Sequence, residues 1–306
     1  MSDKATSSRS RKYRFRRGAV VALGVVALGL SACGNEAAGT GNNDTGSKSS
    51  DKSGANGAEA LKAVQLAASS SQKKSTANFK MTMDVTADGQ KIPIKASGQI
   101  DGANQAVKLE MTLAVPGEGS MKLKEIVKGK TIYMTGFPGM PKNQWVKLSL
   151  DELGAAAGGG ATSGLGAGSD PTDQLQLLSQ VSNDVKAAGK ATVNGVETTK
   201  YTGTIDLKKA AAASGADAKE LAQVRKQYEG LGLSKIPFEL YIDGDNLPSR
   251  LTMTMNGTST TNGKTEKVAM KSQMDFTDWG TDVKITAPKK AKSFEDLLAG
   301  LGGSTG

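Results

Sequence analysis

Histidine is absent from all 306 residues, cysteine occurs once, and aromatic residues make up 4% of the chain. Without histidine there is no imidazole base, no Ser-His-Asp or Cys-His triad and no zinc site of the Cys/His kind. With one cysteine no disulfide can staple the chain, so a hydrophobic core has to hold it. Few aromatic rings leave few platforms on which single-stranded bases could stack. The apolar run Ala19 to Leu30 has twelve residues, short of the ~20 that a membrane-spanning helix needs. Cations look abundant, 39 against 30 acidic residues, yet seven of the 39 and one of the 30 precede Cys33, leaving 32 against 29. The argument from strong basicity to nucleic acid therefore fails, and no nucleic-acid partner is expected.

What is present begins with an address. A basic segment from Met1 to Arg17, the apolar run, and then Leu30-Ser31-Ala32-Cys33 follow the order of a secretory signal peptide. Leu-Ser-Ala-Cys resembles a bacterial lipobox. That resemblance implies a diacylglyceryl (palmitate-bearing) Cys33, cleavage before it, and anchoring to the outer face of the cell membrane. The bland alternative is a secreted protein with an incidental cysteine. Arg16-Arg17 is compatible with twin-arginine export, but Gly18-Ala19-Val20 departs from that pattern, so the export route is open. Residues 1–32 are read as the signal peptide, 33–57 as lipidated cysteine and tether, and 58–306 as one domain. The tether, Gly34 to Gly57, is rich in Gly, Ser and Asn; its 24 residues span roughly 25–30 Å as a flexible coil.

Leu61, Val64 and Ala68 mark a short amphipathic helix over 58–70. From Asn78 the period becomes two. Phe79, Met81, Met83 and Val85 alternate with polar residues, Asp88-Gly89 supplies a turn, and Ile92 to Ile100 alternate again, a hairpin signature. Val107–Val115, Met121–Lys128, Thr131–Thr135 and Trp145–Leu150 continue the meander. A Gly/Ala-rich tract, 154–168, reads as a loop. Asp170-Pro171 then opens a helix carrying Leu175, Leu178, Val181 and Val185 and stopping at Gly189. Strands are expected at 191–193, 196–206, 236–243, 249–256, 267–277 and 283–287, with helices at 216–230 and 293–298. The fold class is α+β: a curved antiparallel sheet of about ten strands, with helices gathered on one face.

The order of these segments, with the phrases Trp145-Val146-Lys147-Leu148, Val193-Asn194-Gly195-Val196-Glu197-Thr198-Thr199-Lys200-Tyr201 and Tyr241-Ile242-Asp243-Gly244-Asp245-Asn246-Leu247-Pro248-Ser249-Arg250, resembles the LppX/LprA/LprF/LprG lipoprotein family over residues 58–290. The resemblance implies a half-barrel related to the LolA/LolB carriers, with helices over a concave apolar cavity that takes a lipid or glycolipid. It implies a monomeric, non-enzymatic carrier without cofactor. The helical insert at 207–233 and the Gly/Ala tract fit it least.

Ten of the eleven methionines follow residue 80, and several stand two or four apart on strands, which places each such pair on one face. Flexible thioethers there suit acyl chains of varied shape. The expected cavity lining is Met81, Met83, Ile92, Ile94, Leu109, Met111, Leu123, Met253, Met255 and Met274. A core using methionine as filler accounts for the same pattern, as does a surface lipoprotein with an interaction or sensing role. Met81-x-Met83 and Met253-x-Met255 also imitate Cu(I) ligand spacing, but a half-buried strand offers a metal no entry path. No metal or other cofactor is expected.

Other phrases dissolve on inspection. Gly164-Leu165-Gly166-Ala167-Gly168 lacks nucleotide-loop spacing. Gly129-Lys130-Thr131 and Gly263-Lys264-Thr265 lack the earlier glycine of a P-loop and fall where hairpin turns are expected. Ser70-x-x-Lys73 and Ser71-x-x-Lys74 have serine–lysine enzyme spacing but lack the accompanying motifs. Asp243-Gly244-Asp245-Asn246 begins like a calcium loop, yet Leu247-Pro248 breaks it and a tight turn explains it.

Overall fold

The computed structural model describes residues 52–296 apart from 88, 116–118, 138–139, 142, 150–174, 176–177, 181, 214–228, 262–263 and 295. Cys33, the signal segment and the Gly/Ala tract lie outside the described residues. So does nearly all of the helix expected at 216–230, of which Glu229 and Gly230 are helical.

Strict alternation over long stretches forms strands, and the molecule is mostly strand. The elements are α1 (Lys52–Lys74), β1 (Thr76–Ala87), β2 (Gln90–Asp101), β3 (Ala106–Val115), β4 (Gly119–Lys128), β5 (Thr131–Thr135) and β6 (Val146–Ser149). There follow β7 (Ser182–Val193), β8 (Val196–Asp206), α2 (Leu207–Ala213), β9 (Lys235–Asp243), β10 (Pro248–Thr261), β11 (Lys264–Thr277) and β12 (Lys292–Ser293). All twelve strands make one sheet in the order β12-β6-β5-β4-β3-β2-β1-β11-β10-β9-β8-β7. It is curved and unclosed. Two meanders meet where β1 pairs antiparallel with β11, Phe79 opposite Phe276 and Met81 opposite Met274.

Turn chemistry sets the registers. Asn194 and Gly195 both take positive φ, 51° and 82°, which a two-residue hairpin turn matching strand twist demands. They join Val193 to Val196. Gly129, at φ 56°, turns β4 into β5. At Gly98 no side chain fits, because a Cβ would stand 2.2 Å from the Lys108 carbonyl and 2.6 Å from the Phe79 ring.

Helix α1 begins at Lys52, within the stretch expected to be tether. It buries Ala60, Val64, Ala67, Ala68 and Ser71 while Leu61 is half-buried. Small side chains on this stripe let the helix lie close to the sheet. Its contacts fall on β7, β9 and β10, and the core beneath includes Phe79, Ile100, Leu240, Leu251 and Phe276.

Three expectations from periodicity are corrected. The helix expected to run from Asp170 to Gly189 does not reach that far: Leu175 and Leu178–Gln180 are helical, but Ser182–Val193 is the edge strand β7. Its register slips between Asn183 and Lys186 and between Ala187 and Lys190, with Asp184 at φ 55° and Gly189 at φ 101°. Two bulges break the two-residue period and leave an apolar spacing that imitates a helix. Residues 283–287, expected as a strand, pair with nothing in the sheet. They belong to a strap, 278–291, that crosses the outer face of the sheet, where Ile285 packs with Ala106 and Ile126 beside Tyr133 and Trp145. Beyond it, Lys292 and Ser293 form β12, parallel to β6, although Ser293 is expected to open a helix. Phe294 and Asp296 are helical, and the Asp296 amide donates to Ser293 Oγ at 3.1 Å.

Candidate functional site

Residues directly opposite each other in a sheet share a face, so the registers decide which predicted lining residues come together. Met81 stands opposite Met274 and Ala96, Ala96 opposite Met111, and Met111 opposite Leu123. Met83 stands opposite Ile94 and Ser272, and Ser272 opposite Met253. Ile92 lies across from Val85, Met270 from Val85 and from Met255, and Leu109 from Gly98. All ten therefore lie on the inner face, the one that carries α1. Met83, Ile94 and Met274 are buried; the other seven are half-buried. Val85, Leu113 and Met270 belong to the same patch, and their parity in the sequence marks them as clearly as it marks the other ten. Glu125 interrupts the patch, opposite Leu109 and Met134.

The spaces on this face are unequal. A cavity of about 30 Å³ is lined by Leu109, Met111, Leu123, Met134 and Phe137 with Lys124 and Glu125. A half-open cleft of about 780 Å³ lies beyond α1, between its first turns and the β7–β8 edge. Ala60, Val185, Ala187 and Tyr201 form its apolar walls, and Glu59, Asp184 and Lys186 add charge. None of the ten predicted residues lines this cleft. The sequence signal for it was hidden, because β7 reads as helix and Tyr201 as an ordinary strand residue. Tyr201 is nonetheless continuous with the methionine patch through Leu240, Leu251, Met274 and Met81, each opposite the next. Leu240 and Leu251 are packed core, so the helix side of the core separates cleft from patch.

The phrases with rival chemistry are occupied structurally. Ser71 is fully buried and its hydroxyl donates to the Ala68 carbonyl at 2.8 Å. Asp243 Oδ1 accepts from the amides of Asp245 and Leu247 at 2.9 and 2.8 Å, closing its own turn.

Ion pairs brace the outer face of the second meander. Asp275 receives two hydrogen bonds from the Arg250 guanidinium, 2.6 and 2.7 Å, which raise the arginine's pKa further. Lys200 Nζ lies 2.5 Å from Glu239 Oε1, and the Tyr241 hydroxyl donates to Oε2 at 3.0 Å. The Lys200 hydrogen bond chiefly, with help from Tyr241, holds the Glu239 carboxyl below its ordinary range against the opposing effect of burial.

A family model described as a family of unknown function, DUF6612, matches residues 57–295. The chain belongs to DUF6612. The matched range runs from the first turns of α1 through β12, so the DUF6612 unit contains both meanders and the strap. The match is to DUF6612 and not to the LppX/LprA/LprF/LprG family. An "uncharacterized 31.2 kDa protein in rplA-rplJ intergenic region" of Streptomyces griseus is 28% identical over 167 residues, 53% of this chain and 51% of that protein. The DUF6612 chain thus spans about half the length of this curated relative. Among solved structures, the Mycobacterium tuberculosis lipoprotein LppX is 16% identical, with a TM-score of 0.42 over 75% of this chain and 99% of that one. LprF from Mycobacterium bovis is 14% identical, with a TM-score of 0.44 over 76% and 97%.

Proposed function

We propose that this chain is a lipid-anchored, extracytoplasmic lipoprotein that binds a lipid or glycolipid on the inner face of its sheet and performs no covalent chemistry. The observation that carries the reading is the apolar inner face. Seven of its ten predicted lining residues are only half-buried, and a cleft of about 780 Å³ opens on the same face beyond α1. That volume falls within the range of small-molecule sites, and apolar walls with a few charges suit an amphiphile. Each methylene taken from water contributes about 0.8 kcal/mol, so several must be covered to hold a lipid. Acylated Cys33 would keep the domain beside its source of ligand.

The full chain, expressed in a bacterium that exports and acylates lipoproteins and extracted with organic solvent, is expected to release stoichiometric lipid by mass spectrometry. Paired Met81→Glu and Met111→Glu substitutions should lower uptake of a fluorescent acyl probe at least tenfold if the tails lie on the methionine patch. Ala187→Trp should do so if they lie in the cleft. Absence of both extracted lipid and probe uptake would overturn the reading. Cys33→Ser should abolish incorporation of labelled palmitate.

A second reading, a surface lipoprotein with an interaction or sensing role and a filled core, has one observation in its favour. The cavity within the methionine patch holds only about 30 Å³. It predicts no probe uptake.

A further inference from the structure

The outer face of the first meander carries a groove walled by lysines. A groove of about 380 Å³ is lined by Lys80, Met81, Thr82, Lys95, Ala96 and Ser97 and by Glu110, Met111, Thr112, Lys122, Leu123 and Lys124. Alternation puts Met81, Ala96, Met111 and Leu123 on the inner face and their sequence neighbours on the outer one. The lining includes every outward neighbour and none of the adjoining inward side chains such as Met83, Ile94 or Leu109. The groove therefore lies outside, floored by backbone and walled by two cross-strand rows: Lys80, Ser97, Glu110, Lys124 and Thr82, Lys95, Thr112, Lys122.

Four lysines thus face one carboxylate, and that carboxylate, Glu110, already pairs with Lys124 at 3.2 Å. Lys80, Lys95 and Lys122 are exposed, as are Lys284, Lys289 and Lys290 on the strap that crosses the same face. On the outer face of the second meander Arg250 pairs with Asp275 and Lys200 with Glu239, while Lys267 and Lys271 are exposed; beside the groove, Lys91 pairs with Asp84 at 3.2 Å. Groove and strap together carry Lys80, Lys95, Lys122, Lys124, Lys284, Lys289 and Lys290 against Glu110, Asp278 and Asp282.

We propose that this outer face docks on an anionic bilayer surface, the lysines of the groove and strap meeting phosphate-bearing headgroups. The occupant follows from charge complementarity over four strands and the strap and from the reach of the chain. Resting on the lipid-anchor reading above, the 18 residues between Cys33 and α1 hold the domain within about 25 Å of the membrane as a flexible coil, so that it meets the surface repeatedly and charge selects the docked orientation at contact, within a Debye length of about 10 Å. Juxtamembrane lysines each strengthen such contact severalfold. Docked this way, the inner apolar face points away from the bilayer and presents its ligand outward.

Lysine footprinting tests it. The full chain is treated with an amine-acylating reagent beside vesicles of phosphatidylcholine alone or with 30% phosphatidylglycerol, and modification is read by mass spectrometry. On anionic vesicles Lys80, Lys95 and Lys122 should be protected at least threefold relative to Lys190, Lys235 and Lys267. The protection should be absent on neutral vesicles and lost in 0.5 M salt. Equal reactivity of the two sets on anionic vesicles overturns the proposal. Equivalent protection by free inorganic phosphate without vesicles also overturns it, in favour of a small-anion site. A Lys80→Gln, Lys95→Gln, Lys122→Gln triple variant should partition to anionic vesicles at least tenfold less than a Lys190→Gln, Lys235→Gln, Lys267→Gln triple; equal partitioning overturns it. Cys33→Ser should leave the footprint intact, and absence of lipid uptake by the wild-type chain with a preserved footprint refutes the carrier reading alone.

Discussion

Glu239 shows how one side chain on the outer face ties stability to pH. Its carboxyl is held below the ordinary value of 4.5 by Lys200 first and Tyr241 after it. A carboxylate depressed on folding stabilises above its unfolded pKa, and that contribution is lost as pH falls through the folded value. Lys200, raised above 10.5 by the same pair, stabilises below its unfolded pKa and loses the effect as pH climbs through the raised value. Glu239→Gln should therefore unfold at lower denaturant than the wild type between pH 6 and 9. The gap should narrow as pH falls below the ordinary carboxylate range and close once it has passed the depressed folded value, where the wild-type carboxyl is itself neutral. Urea titrations across that range measure it, and a gap independent of pH would contradict the assignment. Both partners are readable in the sequence as charged strand residues, but their pairing is not, since 39 residues separate them.

Among elements, the strap is the one that sequence pattern misreads most. Val283, Ile285 and Ala287 alternate like a strand, yet they join no ladder of backbone bonds, and Ile285 finds its partners among side chains of the outer face. Ile285 is buried against Ala106 and Ile126, so Ile285→Ala should cost about 3 kcal/mol of stability. It should also speed amide exchange in β6, whose Val146 and Lys147 pair with β12 at the strap's far end. Unchanged exchange there would show that β12 docks without the strap. Strand β7 teaches the complementary lesson. Its bulges at Asp184 and Gly189 bend an edge strand away from free pairing with other chains, at the cost of the alternation that would have revealed it. Hairpins read well because Asn194-Gly195 and Asp88-Gly89 carry their own conformational demand.

For the molecule as a whole, the seam between β1 and β11 decides cooperativity. It joins the first meander to the second through contacts nearly 200 residues apart, Phe79 opposite Phe276 among them. Phe276 also stacks on Trp279, centroids 5.4 Å apart. Phe276→Ala should destabilise the fold by about 4 kcal/mol and raise hydrogen exchange in both meanders together. Loss of protection confined to β7–β11 would show two independent units.

The sequence by itself determined the strand pattern, the hairpin turns and the common parity of Met81, Met83, Ile92, Ile94, Leu109, Met111, Leu123, Met253, Met255 and Met274, because alternation and turn chemistry are local. Only the tertiary structure decided that α1 lies toward β7, β9 and β10, leaving a cleft at Tyr201 and a half-buried methionine patch. Only it, too, gathered the lysines of four strands and a strap on one outer face. Those outcomes depend on which distant strands pair and where a helix of small side chains can settle, and such long-range packing leaves no local period in the chain.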